Sequence, residues 1–335
     1  MIKFSGTRQE FGKFYGERLK SLQHDFYSHV NMPTLRKQLK IYEEYYPEFI
    51  EERLVAAETA GVDPNFLLYE DLASFVDIAR HRIEHRKHGC TIFAIHENEN
   101  VFVGRNYDWL PQAREFFEQY DINSTGAHRY FSFSDESVWN RHTGKKNRKL
   151  YAEDALNEHG LYIGLTYAHI DKWDYGLSPS HMILYIAEHC KTTRQALNAF
   201  LKIPLATPKN FLIADKSGAI AVVEHAVCDL DIIKPNDQGI LIQTNHCLSP
   251  KLQSLDQIYV KNPRPTSFVR YEEAKWLIQT QLPGFQFTDI WRILRQSHYV
   301  YNRETIWSLA LQLNTGRYNL YSDTAMGQKQ QKFSF

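Results

Sequence analysis

The pattern of apolar and polar positions along this chain changes once, near residue 89. Before that point apolar side chains recur every three or four residues, which predicts helices over about 7–87. Two such stripes are Phe11, Phe14, Tyr15, Leu19 and Leu22, and then Leu35, Leu39, Tyr42 and Tyr46. Gly61 and Pro64 separate a further predicted helix at about 65–86. No convincing strand occurs in this stretch, so residues 1–89 are predicted to be all-helical.

From Cys90 onward the pattern has a period of two, which is typical of β-strands. The first predicted hairpin spans 91–104 and the second spans 211–224, each with a polar turn. Predicted helices cover 179–201, 267–282 and 289–296. Because hairpins join antiparallel strands, residues 90–335 are predicted to form an α+β unit and not a doubly wound parallel sheet.

Composition narrows the classes of function. The 335 residues are 43% hydrophobic and 14% aromatic, as in a packed globular protein. Lys+Arg 39 balances Asp+Glu 39, so no net charge recruits nucleic acid or an anionic membrane. No apolar run approaches the roughly 20 residues of a membrane span, and a cytoplasmic location is predicted. The four cysteines lack metal-ligand spacing, so neither a metal nor another cofactor is expected.

The candidate chemistry begins at Cys90, which lies between Gly89 and an apolar run. Fifteen residues later Arg105 and Asp108 occur in the sequence GRNYDW, where the second strand of the hairpin ends. A thiol that opens one strand can share a site with charged side chains that close its partner. Buried cysteines are more often ordinary core residues, however, so these residues alone leave both interpretations open.

Six motifs in order resemble those of the choloylglycine hydrolase and penicillin acyltransferase superfamily of N-terminal-nucleophile (Ntn) hydrolases. They are HGCT at 88–91, GRNYDW at 104–109, NEHGL at 157–161, IADKSG at 213–218 followed by VVE at 222–224, QTNHCL at 243–248 and SFVR at 267–270. QTNHCL and the long segment before Cys90 resemble the acyl-coenzyme A:6-aminopenicillanic acid acyltransferase branch, whereas Arg105 resembles the bile-salt hydrolases. The resemblance implies a four-layer αββα sandwich of two antiparallel sheets.

The resemblance also implies a division of the chain. Residues 1–89 would be a helical pro-segment, removed by autocleavage between Gly89 and Cys90, and residues 90–335 would be the catalytic domain. The thiol would attack the Gly89 carbonyl during maturation. The α-amino group released on Cys90 would then be the base for its own thiol, because the two groups have similar ordinary pKa values.

Roles for the remaining site residues follow from the same resemblance. Asp108 is expected to hold the α-ammonium group, while Arg105 balances that carboxylate and lowers the pKa of the thiol. The side-chain amide of Asn245 and a backbone N–H near Thr166 are expected to form the oxyanion hole. Arg270 is expected to brace the site from a facing helix. His246, beside Asn245, is expected to make a structural hydrogen bond.

The predicted function is an autoprocessed cysteine amidohydrolase or acyltransferase that cleaves a linear amide C–N bond through a thioester at Cys90. Its predicted partners are a small N-acyl amide, with acyl-CoA as a conceivable acyl donor, and its own cleavage fragments as a heterodimer; homo-oligomers stay open. Aromatic residues concentrated in 107–150 and 167–180 favour an apolar or aromatic acyl group. Two alternatives stay open: a papain-like thiol hydrolase that uses a distant histidine without autocleavage, and a non-catalytic binding protein on the same scaffold.

Overall fold

A computed structural model of the chain describes residues 1–26, 29–81, 89–134, 137–139, 146–148, 151–261, 266–324 and 327–333. The strands are β1 (Ile2–Gly6), β2 (Cys90–Glu97), β3 (Asn100–Asp108), β4 (Glu118–Ser124), β5 (Tyr130–Ser134), β6 (Ser137–Trp139), β7 (Lys146–Arg148), β8 (Asp154–Asn157), β9 (Leu161–Tyr167), β10 (Lys209–Asp215), β11 (Ile220–His225), β12 (Leu230–Ile233), β13 (Ile240–Gln243), β14 (Thr305–Gln312), β15 (Arg317–Thr324) and β16 (Gly327–Phe333).

The helices lie before β2, between β9 and β10, and between β13 and β14. They are α1 (Arg8–Ser21), α2 (Met32–Tyr45), α3 (Pro47–Ala60), α4 (Pro64–Leu68), α5 (Ser74–His81), α6 (Pro179–His189), α7 (Thr193–Phe200), α8 (Pro250–Gln253), α9 (Gln257–Lys261), α10 (Thr266–Thr280) and α11 (Phe287–Gln296). A π-helical turn, Tyr69–Ala73, joins α4 to α5, and a 3₁₀ turn, Pro111–Phe116, follows β3.

Two large sheets form the centre of the molecule. One has eight strands in the order β1-β4-β5-β8-β9-β10-β11-β12, and the other has six in the order β13-β2-β3-β14-β15-β16. Among the paired strands that the structure describes, only β1 and β4 are parallel. Antiparallel pairing follows from the hairpins, as the period-two pattern predicts.

Three apolar cores separate four layers. The first lies between the helices before Cys90, with α6 and α7, and the outer face of the eight-stranded sheet. The second fills the space between the sheets, where Ile92 and Val103 meet Leu212 and Val222. The third joins the six-stranded sheet to α10 and α11. This order of layers confirms the predicted α+β sandwich.

The segment before Cys90 is not helical throughout. Residues 2–6 form β1, which pairs in parallel with β4 at the edge of the eight-stranded sheet. Ile2, Phe4 and Gly6 are half-buried and alternate with exposed residues, which is the pattern of an edge strand. Five residues are too few for that alternation to stand out beside the longer helical stripes.

The single helix predicted over 179–201 is also divided in two. It ends at Cys190, and Thr192 caps α7 by accepting a hydrogen bond from the Gln195 N–H. The side-chain amide of Asn157 donates to the carbonyls of Ala187 and Cys190, at 3.0 and 2.7 Å. These bonds satisfy carbonyls at the end of α6 from a distant strand. The local signal for the break is Thr192 followed by Gln195, a pattern typical of a helix start, which the prediction of one helix overlooked.

Candidate active site

The β2–β3 hairpin positions the first group of candidate residues. Its two turn residues, Asn98 and Glu99, both have positive φ values of 48° and 65°, as in the tight turns that join twisted antiparallel strands. The resulting register pairs Cys90 with Tyr107 and Ile92 with Arg105. Because side chains alternate along a strand, Cys90 and Arg105 lie on the same face of the sheet.

Arg105 lies between the two sheets and is fully buried. Its Nε is 3.2 Å from Oδ1 of Asp154, and its Nη2 donates to the Leu165 carbonyl at 2.8 Å. Asp154 also accepts from the Tyr162 hydroxyl at 2.5 Å and from the Trp307 indole at 3.3 Å. Burial acts to lower the pKa of Arg105, but the Asp154 carboxylate and then Cys90 outweigh it and raise that pKa well above its ordinary value, so Arg105 stays charged beside the thiol.

The Cys90 thiol is buried, and burial raises its pKa. The charge of Arg105 and its hydrogen bond to the thiol act in the opposite direction, while the Asp108 carboxylate raises the pKa further. Burial prevails, so in the uncut chain the thiol is protonated at neutral pH. Deprotonation therefore needs a base close to the sulfur.

Asp108 lies on the opposite face of β3 from Arg105. Its Oδ1 accepts a hydrogen bond from the Thr305 hydroxyl at 2.6 Å, and its Oδ2 accepts one from the Asn302 amide at 3.1 Å. Burial raises the pKa of Asp108, and Arg270 opposes that shift more strongly than Arg105 does. The expected pairing of Arg105 with Asp108 is therefore replaced by Arg105 with Asp154, because alternate strand positions face opposite ways.

Arg270, on α10, contacts both the start of β2 and Asn245, which follows β13. Its Nη2 donates to Oδ1 of Asn245 at 2.6 Å, and its Nη1 donates to the Thr91 hydroxyl at 3.2 Å and to the Cys90 carbonyl. Oδ1 of Asn245 also accepts from the Cys90 N–H at 2.9 Å. Arg270 and Asn245 together thus hold the N–H and the C=O of Cys90.

Gly89 lies against these two side chains. A Cβ atom added at this position would overlap the Arg270 guanidinium and lie 2.6 Å from Oδ1 of Asn245. The Gly89 carbonyl accepts a hydrogen bond from the Asp108 N–H at 3.0 Å. The geometry therefore requires glycine before the thiol and directs a backbone donor at the carbonyl that the thiol would attack.

Backbone N–H and C=O groups along β9 point alternately toward its two neighbouring sides, which decides whether the N–H near Thr166 can face the site. The Leu165 N–H donates to the Glu153 carbonyl, so the backbone groups of Thr166 face β10 instead. Nδ2 of Asn245 donates to the Tyr167 carbonyl at 3.0 Å. Since the N–H and C=O of one strand residue point the same way, Tyr167 presents its backbone on the side of Asn245.

His246 does not act on the thiol. Its Nδ1 is 2.9 Å from the Ser267 hydroxyl and 3.1 Å from the Thr244 hydroxyl. Burial, with a contribution from Arg270, lowers the pKa of His246 to about 3, so the ring is neutral. The expected structural hydrogen bonds of His246 are confirmed, and this histidine gives no support to a papain-like pair.

A cleft of about 240 Å³ opens at Cys90. Its lining includes the aromatic side chains Phe75, Tyr107, Trp109, Tyr151 and Tyr167, together with Glu153 and Lys209. Of the aromatic residues expected around a pocket, Tyr107, Trp109 and Tyr167 line this cleft; the side chain of Trp139 is outside the described residues. Phe75 comes from α5, so the segment before Cys90 contributes to the cleft wall.

Three residues that hold the site together are absent from the sequence-based predictions. Asp154 anchors Arg105, and Thr305 and Asn302 hold Asp108. Asp154 begins β8 and Thr305 begins β14. Each strand comes close to the site only when the sheets form, since both are far from the β2–β3 hairpin in sequence. No motif marks these positions; the one usable signal is a polar residue at the start of an apolar strand.

The model of the acyl-coenzyme A:6-aminopenicillanic acid acyl-transferase family matches residues 95–325. The chain belongs to this family. No significant match was found among curated proteins.

Three similar solved structures share 15–17% sequence identity with this chain. The N-acylethanolamine-hydrolyzing acid amidase ortholog of Caenorhabditis elegans is 15% identical, with a TM-score of 0.52 over 73% of this chain and 100% of that one. Penicillin V acylase from Agrobacterium tumefaciens is 17% identical, with a TM-score of 0.48 over 73% and 86%. A variant of the conjugated bile acid hydrolase from Clostridium perfringens is 15% identical, with a TM-score of 0.47 over 73% and 92%. None of the helices that the structure describes is both long and apolar enough to cross a bilayer.

Proposed function

We propose that this protein is a cysteine amidohydrolase or acyltransferase that matures by cleaving its own Gly89–Cys90 bond. The observation that carries the proposal is the arrangement at that bond. The thiol of Cys90 lines a cleft beside Arg105, while Arg270 and Asn245 hold the adjoining peptide. A cysteine with only a packing role needs none of these polar groups.

Maturation would begin with attack of Sγ of Cys90 on the Gly89 carbonyl carbon. A C–S bond forms, the C–N bond to Cys90 breaks, and the thiol proton passes to the departing nitrogen. Water then hydrolyses the thioester, which releases a carboxylate on Gly89 and restores the thiol. The Asp108 N–H already donates to the Gly89 oxygen and would stabilise the negative charge that develops there.

Catalysis would use the amino group that cleavage releases. A free α-amino group has a pKa of about 7.7–8.0 and a thiol one of about 8.5, so a proton passes readily between them. The thiolate attacks the acyl carbonyl of the substrate, the leaving amine takes the proton, and water or a second amine resolves the thioester. Nδ2 of Asn245 and the N–H of Tyr167 would be the donors to the oxyanion.

The cleft favours an N-acyl substrate whose acyl group is apolar or aromatic. Five aromatic side chains line about 240 Å³ around Cys90, and such surfaces bury apolar groups well. The family name pairs an acyl-CoA donor with an amine acceptor, and the worm structure with the same fold is named for hydrolysis of N-acylethanolamines. We therefore propose an acyl amide substrate and acyl-CoA as a candidate donor.

Intact mass and amino-terminal sequencing of the purified protein test this function. Wild type should yield a chain that begins at Cys90, whereas Cys90→Ala should remain whole and inactive; Cys228→Ala, at an exposed thiol, is the matched control. Mature protein is then incubated with a panel of N-acyl amides, and products are followed by mass spectrometry. Activity of an uncut chain would indicate a papain-like enzyme. An uncut, inactive chain with an unreactive Cys90 would indicate a binding protein.

A further inference from the structure

A second group of metal-ligating side chains lies far from Cys90. Glu158 and His159 come just before β9, whereas Tyr167, at the other end of β9, faces the cleft. At about 3.3 Å per residue the strand separates the two places by roughly 20 Å. The third member of the group is His128, in the turn before β5.

Backbone pairing brings these residues together. Tyr130 on β5 is opposite Asn157 on β8, so the residues just beyond the ends of the two strands are neighbours. The Glu158 N–H donates to the Arg129 carbonyl at 2.9 Å, and the Arg129 N–H donates to Oε1 of Glu158 at 3.1 Å. The His128 N–H donates to the Glu188 carbonyl at 3.0 Å, which ties its turn to the end of α6.

The side-chain donors converge as metal ligands do. Nδ1 of His128 is 3.1 Å from Nε2 of His159 and 3.8 Å from Oε1 of Glu158, and the three donor atoms all lie within 4.8 Å of one another. Two nitrogens bound at about 2.0–2.1 Å in a tetrahedral shell are about 3.3 Å apart, close to the separation here. The rings are nearly perpendicular, at 82°, and the two nitrogens are within hydrogen-bond distance of each other, a contact that a bound ion would replace.

We propose that His128, His159 and Glu158 bind one divalent metal ion of the zinc class, with water as the fourth ligand. Two imidazoles and one carboxylate are a common protein ligand set for zinc. The ion ties the turn before β5 to the turn before β9.

The ligand types in the group select the kind of metal. Mg²⁺ and Ca²⁺ are held mainly by charged oxygens, and this group offers a single carboxylate. A metal that bonds strongly to imidazole nitrogen is therefore favoured over either of them.

Calorimetric titration of the full-length protein, stripped of metal with a chelator, tests the site. Zn²⁺ should bind once per chain, and Mg²⁺ should give no saturable binding. His128→Asn and His159→Asn should each weaken Zn²⁺ binding at least about tenfold. His298→Asn, at an exposed histidine outside the group, is the matched control and should bind as wild type does. Zn²⁺ should raise the melting temperature of wild type and of this control only.

Two further measurements, on Glu158→Gln and on the Co²⁺-substituted protein, can contradict the proposal. Glu158→Gln, whose amide oxygen can still accept from the Arg129 N–H, should fold normally and bind Zn²⁺ more weakly. The Co²⁺-substituted protein should show tetrahedral d–d absorption without a thiolate charge-transfer band. A thiolate band would place the metal on a cysteine and overturn the proposal. Absence of saturable Zn²⁺ binding, or equal affinity in all variants and wild type, would overturn it too.

Discussion

Arg105 and Asp154 form an ion pair that is fully buried between the two sheets, with Nε 3.2 Å from Oδ1. The pair connects β3 of one sheet to β8 of the other, directly behind the Cys90 thiol. A buried charge that loses its partner is strongly destabilising, because its desolvation is no longer offset. Loss of the ion pair would therefore affect both the stability of the two-sheet sandwich and the charge that acts on the thiol.

Asp154→Asn should lower the free energy of unfolding by about 3–5 kcal/mol, since it leaves the Arg105 charge buried without its anion. Urea denaturation followed by far-ultraviolet circular dichroism measures the change. Lys251→Ala is the matched control, because it breaks the ion pair with Asp229 at the exposed surface, where little change is expected. Equal stability of Asp154→Asn and wild type would show that the buried pair is dispensable.

Gly89→Ala should stop or greatly slow autocleavage. The added carbon would overlap the Arg270 guanidinium and displace Asn245 from the Cys90 N–H, so the peptide would leave its position beside the thiol. The fraction of cleaved chain, measured by intact mass over time, reports the effect. Gly61→Ala is a suitable control: its Cβ meets nothing within 4 Å, and its left-handed φ of +74° costs alanine about 1–2 kcal/mol. Cleavage of Gly89→Ala at the wild-type rate would contradict the proposed geometry.

Asn245→Ala should reduce kcat on an N-acyl amide by about 10²–10³, the usual loss for one oxyanion donor. Intact mass of the same preparation shows whether maturation is also slowed, because Asn245 contacts the Cys90 N–H in the uncut chain. Thr166→Val should change kcat little, because it leaves every backbone N–H in place and removes only a hydroxyl that accepts from Nδ2 of Asn210 at 3.4 Å. A loss in Asn245→Ala no larger than in Thr166→Val would contradict the proposed role of the Asn245 amide.

Local pattern was sufficient to predict the hairpin that carries three of the candidate residues, but not their chemical roles. Cys90, Arg105 and Asp108 share β2 and β3, whose alternation and polar turn are visible in the sequence. Resemblance supplied Asn245 and Arg270, which lie far from that hairpin along the chain.

What could not be predicted depends on long-range assembly. Asp154 reaches Arg105 only because the two sheets stack face to face, and Thr305 reaches Asp108 only through the pairing of β14 with β3. Likewise the side-chain amide of Asn157, on β8, binds carbonyls at the end of α6. Apolar periodicity reports which face of an element is buried, but not which polar group lies opposite it.

Stability should depend on pH through Glu52. Burial, and then the negative charge of Glu188, raise the pKa of Glu52 from 4.5 to about 7, although it accepts a hydrogen bond from Arg8 at 2.7 Å. A carboxyl whose pKa is higher in the folded state stabilises the protein at low pH. That contribution is lost as the pH rises from about 4.5 through 7.

The variant Glu52→Gln tests this dependence, because its amide oxygen can still accept from Arg8 while the charge is absent. Urea midpoints at pH 5 and pH 8 should differ less in Glu52→Gln than in wild type, and the variant should gain stability relative to wild type at pH 8. Glu10→Gln, at a fully exposed carboxylate of the α1 capping box, is the control and should leave the pH dependence that arises from Glu52 in place. Identical pH profiles for Glu52→Gln and wild type would contradict the prediction.

Cleavage at Gly89 should leave the two fragments associated. The segment before Cys90 shares one continuous apolar core with the eight-stranded sheet, in which Leu35, Tyr42 and Phe49 belong to the same cluster as Ile183 and Phe211. Its β1 adds a strand to that sheet, and Arg8 pairs with Glu188 at 2.8 Å across the boundary. Separation would expose this core to water, so the hydrophobic effect opposes it.

Size-exclusion chromatography with light scattering should therefore give the mature protein a mass no lower than the 39.4 kDa of the uncut chain. Denaturing electrophoresis of the same peak should show both fragments. Raising the salt concentration to about 1 M should not separate them, because burial of apolar surface outweighs the screened Arg8–Glu188 pair. Arg8→Ala should loosen the association only partly. Free elution of the amino-terminal fragment in buffer alone would show that the shared core does not hold the fragments together.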